Sequence, residues 1–156
     1  VCRESSDCQG IWGLLDRIKD PEIPVISLWD LGVLQNVEQL SEASVRVTIT
    51  PTYSGCPAMH EIEQDIVNLL AAQGFKDVDV VTQLSPAWST DMMSNEGKKQ
   101  LREYGIAPPE RGSSIVQCPQ CCSVKTRKIS EFGSTACKAL FQCQDCMEPF
   151  DYFKCI

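Results

Sequence analysis

Two pairs of cysteines near the C-terminus carry the clearest chemistry in this chain. Cys118-Pro-Gln-Cys121 and Cys143-Gln-Asp-Cys146 are CxxC pairs with 21 residues between them. Each pair can present two thiols from one tight turn. Two such turns face to face make a tetrahedral cage of four sulfurs with bonds of about 2.3 Å, which suits Zn²⁺, with iron as the alternative in the same ligand set. Four protein thiolates leave no open coordination position. The expected cage is therefore structural: it holds the tail together and does no chemistry.

A second thiol stands in a different setting. Pro51-Thr-Tyr-Ser-Gly-Cys56-Pro57 lies between the most regular strand pattern and the longest helical pattern of the chain. Pro57 fits the first helical position, where a missing N–H costs nothing, and this places Cys56 at the N-cap. Free backbone N–H groups and the positive end of the helix dipole would there lower the thiol pKa. A thiolate so placed ligates soft metals and clusters or attacks electrophiles. The alternative is a buried cysteine that packs as a small apolar group. The single histidine, His60, follows by four residues, so a Cys56–His60 dyad is a further reading beside that of a solvated helix residue. Asp20 and Glu22 are candidates to ligate a metal or orient Cys56, or else Asp-Pro-Glu simply makes a turn. Thr50 and Thr52 either line the Cys56 site or serve strand propensity alone.

Composition narrows the setting. Seven of the ten cysteines lie in residues 118–155, and four of those seven form the CxxC pairs. The first seven residues lack the apolar core of a signal peptide. Metal binding in a reducing cytoplasm is then the better reading than a disulfide scaffold. No apolar run approaches the ~20 residues needed to span a bilayer. The net charge is −7, divided as −8 over residues 1–112 and +1 over 113–156. Nucleic-acid binding calls for a clustered basic patch, which neither part has. No glycine-rich dinucleotide or phosphate loop occurs, so the chain is expected to have no catalytic activity of its own.

The elements that must position these thiols follow from periodicity. Apolar residues at helical spacing predict a helix over 9–19, ended by Asp20-Pro21. Strands are predicted over 33–40 and 45–50, joined as a hairpin, the second alternating cleanly between apolar and polar residues. A helix over 58–73, capped by Gly74, leads to a strand over 78–82 and a last helix over 96–104. Linker composition marks 107–114, and strand patterns at 124–130, 139–143 and 151–155 complete a β-rich ribbon. The order α-β-β-α-β-α predicts an α+β domain over 6–106, followed by the linker 107–114 and a four-cysteine zinc ribbon over 115–156.

Asp20-Pro-Glu, Asp30-Leu-Gly and Thr50-Pro-Thr-Tyr-Ser-Gly-Cys56-Pro resemble the SufT-like iron–sulfur assembly domain. Ser130-Glu-Phe-Gly-Ser-Thr-Ala-Cys137-Lys-Ala-Leu, then Cys143-x-x-Cys146-x-Glu-Pro-Phe-Asp-Tyr-Phe-Lys-Cys155, is similar to the PaaD family of bacterial phenylacetate degradation. PaaD is encoded with the subunits of phenylacetyl-CoA epoxidase (the ring 1,2-monooxygenase), which combines a di-iron oxygenase with a flavin/iron–sulfur reductase. The resemblance implies an accessory factor that assembles or inserts the iron–sulfur cofactor of the reductase, with Cys56 as the transfer thiolate. The rivals are a non-catalytic subunit that only docks on the oxygenase and a nucleic-acid-binding ribbon. Oxygenase or reductase subunits are the expected partners, and a homo-oligomer is an alternative assembly. Cys122 departs from the glycine usual after the second cysteine of a zinc knuckle: it is a strained substitution or a spare thiol. For Cys137 and Cys155 three readings compete: small core residues, a disulfide, which a reducing cytoplasm disfavours, or ligands of a labile cluster shared with Cys56 or a partner.

Overall fold

The computed structural model describes residues 8–110 and 115–154. The chain forms two compact units, Val1–Ser94 and Asn95–Ile156.

Among the described residues the first unit has three strands and three α-helices. β1 (Leu34–Ser41) and β2 (Ser44–Ile49) form the expected antiparallel hairpin, and β3 (Asp77–Thr82) runs parallel to β2. The crossover between β2 and β3 is α3 (Ala58–Ala72), because parallel neighbours need a long connection. Alternation along β2 decides which face is covered. Val45, Val47 and Ile49 are fully buried, while Arg46 is exposed and pairs with Asp79 of β3 at 2.7 Å. Ile62, Ile66 and Leu70 recur every four residues on α3 and are buried. Each such side chain contributes roughly 1.5–3 kcal/mol of burial. α1 (Gln9–Leu15) packs against α3, and Trp12 of α1 meets Trp29 edge to face at 5.1 Å.

The first helix is shorter than the periodicity predicts. The chain leaves it at Asp16, with i→i+3 bonds Arg17 N–H to Leu14 O and Ile18 N–H to Leu15 O. Ile18 is buried all the same, because residues 18–28 fold back on themselves through a bridge between Lys19 and Ser27. A four-residue helix, α2 (Leu28–Leu31), goes beyond what periodicity predicts. Its cues are local: Ser27 caps it by accepting the Asp30 N–H, and Gly32 ends it at φ 81°. A side chain at Gly32 would collide with the backbone of Met92, so glycine here serves close approach as well as the turn. A 3₁₀ turn, Thr90–Met92, is likewise new.

The second unit begins with α4 (Asn95–Glu103). The four-stranded sheet that follows has the order β4 (Ile106–Ala107), β7 (Pro149–Phe153), β6 (Lys138–Cys143), β5 (Thr126–Ser130). β4 overlaps the predicted linker at Ala107, just before Pro108 and Pro109, and it pairs parallel with β7. α4 and β4 thus group with the ribbon, upstream of the boundary at 106 suggested by composition. The ribbon core is small: Val116, Cys118, Ala139, Phe141, Cys143 and Phe150 are buried together with Ala107. Phe141 and Phe150 stack at 6.1 Å, and Tyr152 meets Phe141 at 5.4 Å. No helix among the described residues is long and apolar enough to cross a membrane.

Candidate functional site

The two CxxC turns converge. The sulfurs of Cys118, Cys121, Cys143 and Cys146 all lie within 4.8 Å of one another. Cys118 and Cys146 are 3.8 Å apart, and Cys121 and Cys143 are 3.5 Å apart. A tetrahedron with metal–sulfur bonds of about 2.3 Å has edges of about 3.8 Å, so this donor set fits Zn²⁺. The first cysteine of each pair is buried and the second is exposed. Backbone bonds shape each turn: Cys118 N–H to Ser123 O at 2.9 Å, Cys122 N–H to Cys118 O at 2.9 Å, and Cys143 N–H to Glu148 O at 3.0 Å.

The residue after each pair is left-handed: Cys122 has φ 61° and Met147 has φ 66°. Cys122 thus occupies the strained position where glycine is usual, and its side chain is exposed. The two turns are also tied together. Ser123 Oγ donates to Asp145 Oδ2 at 2.6 Å, and Lys125 Nζ reaches Asp145 Oδ1 at 3.3 Å. The Ser123 hydrogen bond and then Lys125 hold the Asp145 carboxyl below its ordinary value.

Four thiols this close cannot all ionise without a cation. Backbone N–H groups of Cys146 and Asp145 bring the Cys143 thiol down to about 6. The Ser123 N–H pulls Cys121 downward too, but burial and the three neighbouring thiols push it up to about 12. A divalent metal resolves this conflict by taking all four as thiolates.

The Cys56 site is built by tertiary contacts. β1 begins where β2 and β3 end, with Leu34 opposite Ile49 and Ile49 opposite Thr82. The chain beyond each strand is stitched to its neighbours: Thr50 N–H to Val33 O at 2.8 Å, Gln83 N–H to Ile49 O at 2.8 Å, and Thr50 Oγ1 to Gln83 O at 2.6 Å. The Cys56 loop thus leaves from the C-terminal end of a parallel strand pair, where open α/β sheets commonly place their sites.

Cys56 is half-buried. The N-cap of α3 is Pro57, in helical conformation, so Cys56 lies one residue outside the predicted cap. The proline ring fixes its own φ in the helical range, which moves the cap forward. The predicted fall in pKa is also overturned. Burial pushes the Cys56 thiol up; the Ala58 N–H draws it down, Glu22 pushes it up, the Tyr53 hydroxyl draws it down, and Asp20 adds upward push. Burial and the two carboxylates win. Tyr53 is a neighbour that the motif reading missed, although it stands three residues away in the same loop.

Asp20 and Glu22 therefore do lie near enough to act on the thiol. Asp20 is buried, and its Oδ1 accepts the backbone N–H groups of Glu22 at 2.9 Å and Ile23 at 2.8 Å, so it builds the turn. Thr50 is buried and joins the strand ends, and Thr52, two residues on, is buried as well. His60 is exposed on α3. Among the described residues the four-cysteine cage is the one group of three or more metal-ligating side chains, so Cys56, Asp20 and Glu22 do not converge as a ligand set. Cys137 is buried in the ribbon with its sulfur 3.0 Å from Thr135 Oγ1. Its suggested companion Cys155 lies outside the described residues.

The comparisons with known proteins divide along the same line. Residues 9–81 match the family described as "Iron-sulfur cluster assembly protein", and residues 107–154 match "PaaD zinc beta ribbon domain". The chain is 53% identical to a protein of Escherichia coli (strain K12) named as the D subunit of a "Putative 1,2-phenylacetyl-CoA epoxidase", over 94% of this chain and 92% of that one. It is 37% identical to an "Fe-S protein maturation auxiliary factor" of Porphyromonas gingivalis, over 56% of this chain and 84% of that one. A crystal structure of a DUF59 domain from Bacillus anthracis shares the fold with a TM-score of 0.55 and 25% identity, covering 60% of this chain and 89% of that one.

Proposed function

The chain belongs to the PaaD family, and on that premise we propose that it is an accessory protein of a phenylacetyl-CoA epoxidase system, assembling or inserting an iron–sulfur cluster for the reductase of that system. One observation carries this reading. A single chain joins residues of the iron–sulfur assembly family to a ribbon of the PaaD type, and both lie in a sequence that matches the Escherichia coli epoxidase relative almost end to end. Cys118, Cys121, Cys143 and Cys146 hold one structural Zn²⁺, whose part is to stabilise the ribbon. Cys56 is the transfer thiolate, acting in the cytoplasm.

The chemistry asked of Cys56 is ligand exchange. Its sulfur binds iron of the cluster and releases its proton to solvent. The iron–Cys56 bond then breaks as a thiolate of the recipient bonds the same iron, with no net change in electrons. The Ala58 N–H and the Tyr53 hydroxyl stabilise sulfur as an anion, while Glu22 and Asp20 favour an adjacent cation. A half-buried position slows bulk oxidation yet leaves an approach for a partner.

The test is transfer under anaerobic conditions. The protein is loaded with iron and sulfide, mixed with apo-reductase, and followed by visible absorption and by reductase activity. Transfer that is lost in Cys56→Ala and kept in Cys122→Ala is the expected result. Equal transfer from the Cys56→Ala protein would sink the reading. A second reading, a resident non-catalytic subunit, takes support from the name of the Escherichia coli relative. It predicts co-purification in fixed stoichiometry with the active complex, whereas a maturation factor acts in trace amounts and leaves.

A further inference from the structure

The loop between β5 and β6 is held more tightly than a strand connection requires. Gly133 donates its N–H to the Lys138 carbonyl at 2.8 Å, and Lys138 donates to Thr135 O at 3.2 Å. Ser134 clamps Asp151 of β7 twice, through its N–H to Oδ1 at 3.2 Å and its Oγ to Oδ2 at 2.6 Å. Gly133 lies so close to this carboxylate that an added Cβ would overlap it. Lys138, only 3% exposed, completes the latch with its Nζ 3.9 Å from Asp151 Oδ2. Lys138 is buried, so losing the partly exposed Asp151 would leave its charge uncompensated, and the contact favours one loop geometry. On the other side Lys154 Nζ donates to Glu131 O at 3.0 Å and stands 4.7 Å over the Phe132 ring.

The latch displays an aromatic side chain to solvent. Phe132 is 65% exposed. Beside it runs an open groove of about 400 Å³ whose walls include Leu140, Pro149 and Phe150. Ile129, at a bulge in the β5–β6 pairing, is half exposed. The surroundings carry a small surplus of positive charge. Lys125 pairs with Asp145 at 3.3 Å and Lys128 with Glu131 at 2.9 Å, so Arg127 and Lys154 are the surplus cations beside the loop. An aromatic anchor on a pre-organised loop keeps its binding energy because little freedom remains to be lost. The cations around it favour an acidic partner surface.

The relatives indicate where such a partner belongs. The iron–sulfur maturation factors of Porphyromonas gingivalis and Bacillus subtilis match 56% and 60% of this chain, too little to span both units, while the epoxidase relative matches 94%. The ribbon match carries the PaaD name. We propose that the Phe132 loop and the basic edge of β5 form the surface by which this protein docks on an acidic segment, bearing an apolar anchor, of another subunit of the epoxidase system. The proposal rests on the accessory-protein reading above, but not on the cargo being a cluster.

The experiment uses the full chain with metal bound and, as probes, the purified remaining subunits of the cognate epoxidase, tested singly by calorimetry. Phe132→Ala is expected to weaken binding to one subunit by about tenfold or more, the loss typical of an aromatic anchor. Arg127→Glu should weaken it further as salt is lowered, because opposite charges no longer meet and like charges repel across the contact. Metal content and melting temperature should stay at the parent values, since both side chains are exposed. The proposal falls if no subunit binds the parent chain, or if Phe132→Ala binds as the parent does. It also falls if the substitution changes only self-association in ultracentrifugation, which would make the face a contact between copies. Cluster transfer that fails while Phe132-dependent binding persists would overturn the transfer reading and leave the docking surface standing.

Discussion

The cage gathers four sulfurs for a metal, whereas the Cys56 loop, on the function proposed above, prepares a single one. In the ribbon, four thiols stand within 4.8 Å, and each pair is shaped by hydrogen bonds inside its own turn. At Cys56 a single thiol takes its character from residues more than thirty positions upstream, Asp20 and Glu22, as well as from Tyr53 and Ala58 nearby. The first arrangement is closed and crowded, so it suits a metal that stays. The second offers one sulfur with donors on one side and carboxylates on the other, so it suits a metal that leaves. Exchange needs incomplete coordination, and permanence needs a full shell.

The comparison breaks most sharply at the cage. Cys143→Ser should lower bound metal from near one per chain to near zero and unfold the ribbon. Structural zinc contributes about 10–16 kcal/mol to small modules of this kind. Elemental analysis with circular dichroism checks this; full metal retention would mean that Cys143 is not a ligand.

A core substitution separates the two units. Ile66→Ala, at a fully buried position of α3, should destabilise the first unit by about 2–5 kcal/mol. Urea unfolding should register the loss, while metal content stays at the parent value. Metal loss on this substitution would show that the ribbon depends on the first unit for its fold.

Cys122→Gly sharpens the account of the turn. A residue other than glycine at φ 61° costs about 1–2 kcal/mol, so glycine should stabilise the ribbon by roughly 1 kcal/mol after its own entropy cost. The expected reading is a slightly higher melting temperature at unchanged metal content. A lower one would assign Cys122 a contact that outweighs the strain.

The smallest effect tests the field at Cys56. Because its pKa is raised above the ordinary thiol value, little thiolate exists at neutral pH, and alkylation should accelerate about tenfold per pH unit up to that point. Glu22→Gln removes a negative charge, which lowers the pKa and should raise the alkylation rate at about pH 8 by about threefold. Mass-spectrometric mapping of iodoacetamide labelling measures both. A labelling rate at Cys56 that stays flat from weakly acidic to weakly basic pH would contradict the upward shift.

Much of this molecule could be read before its structure. The β1–β2 hairpin, α3 and the ribbon strands follow from alternation and helical spacing, because burial of one face imposes those periods. Other features escaped for identifiable reasons. α1 ends early since the apolar Ile18 that extends its pattern is buried by a folded-back loop instead of a further turn. α2 is too short to show a period, although Ser27 and Gly32 flank it as caps. β4 hides beside prolines because a two-residue strand leaves no pattern at all.

The sequence by itself determined the cage. A CxxC turn brings its two sulfurs together through bonds within a few residues, so spacing suffices to specify the ligands and only their meeting with the second turn is left to the fold. The electrostatics at Cys56 were decided by the tertiary structure alone. The loop's own residues argue for a lowered pKa, yet burial and the carboxylates of Glu22 and Asp20 reverse the sign. Coulombic and desolvation effects depend on distance through space and on what excludes water, and neither is written in the order of the residues.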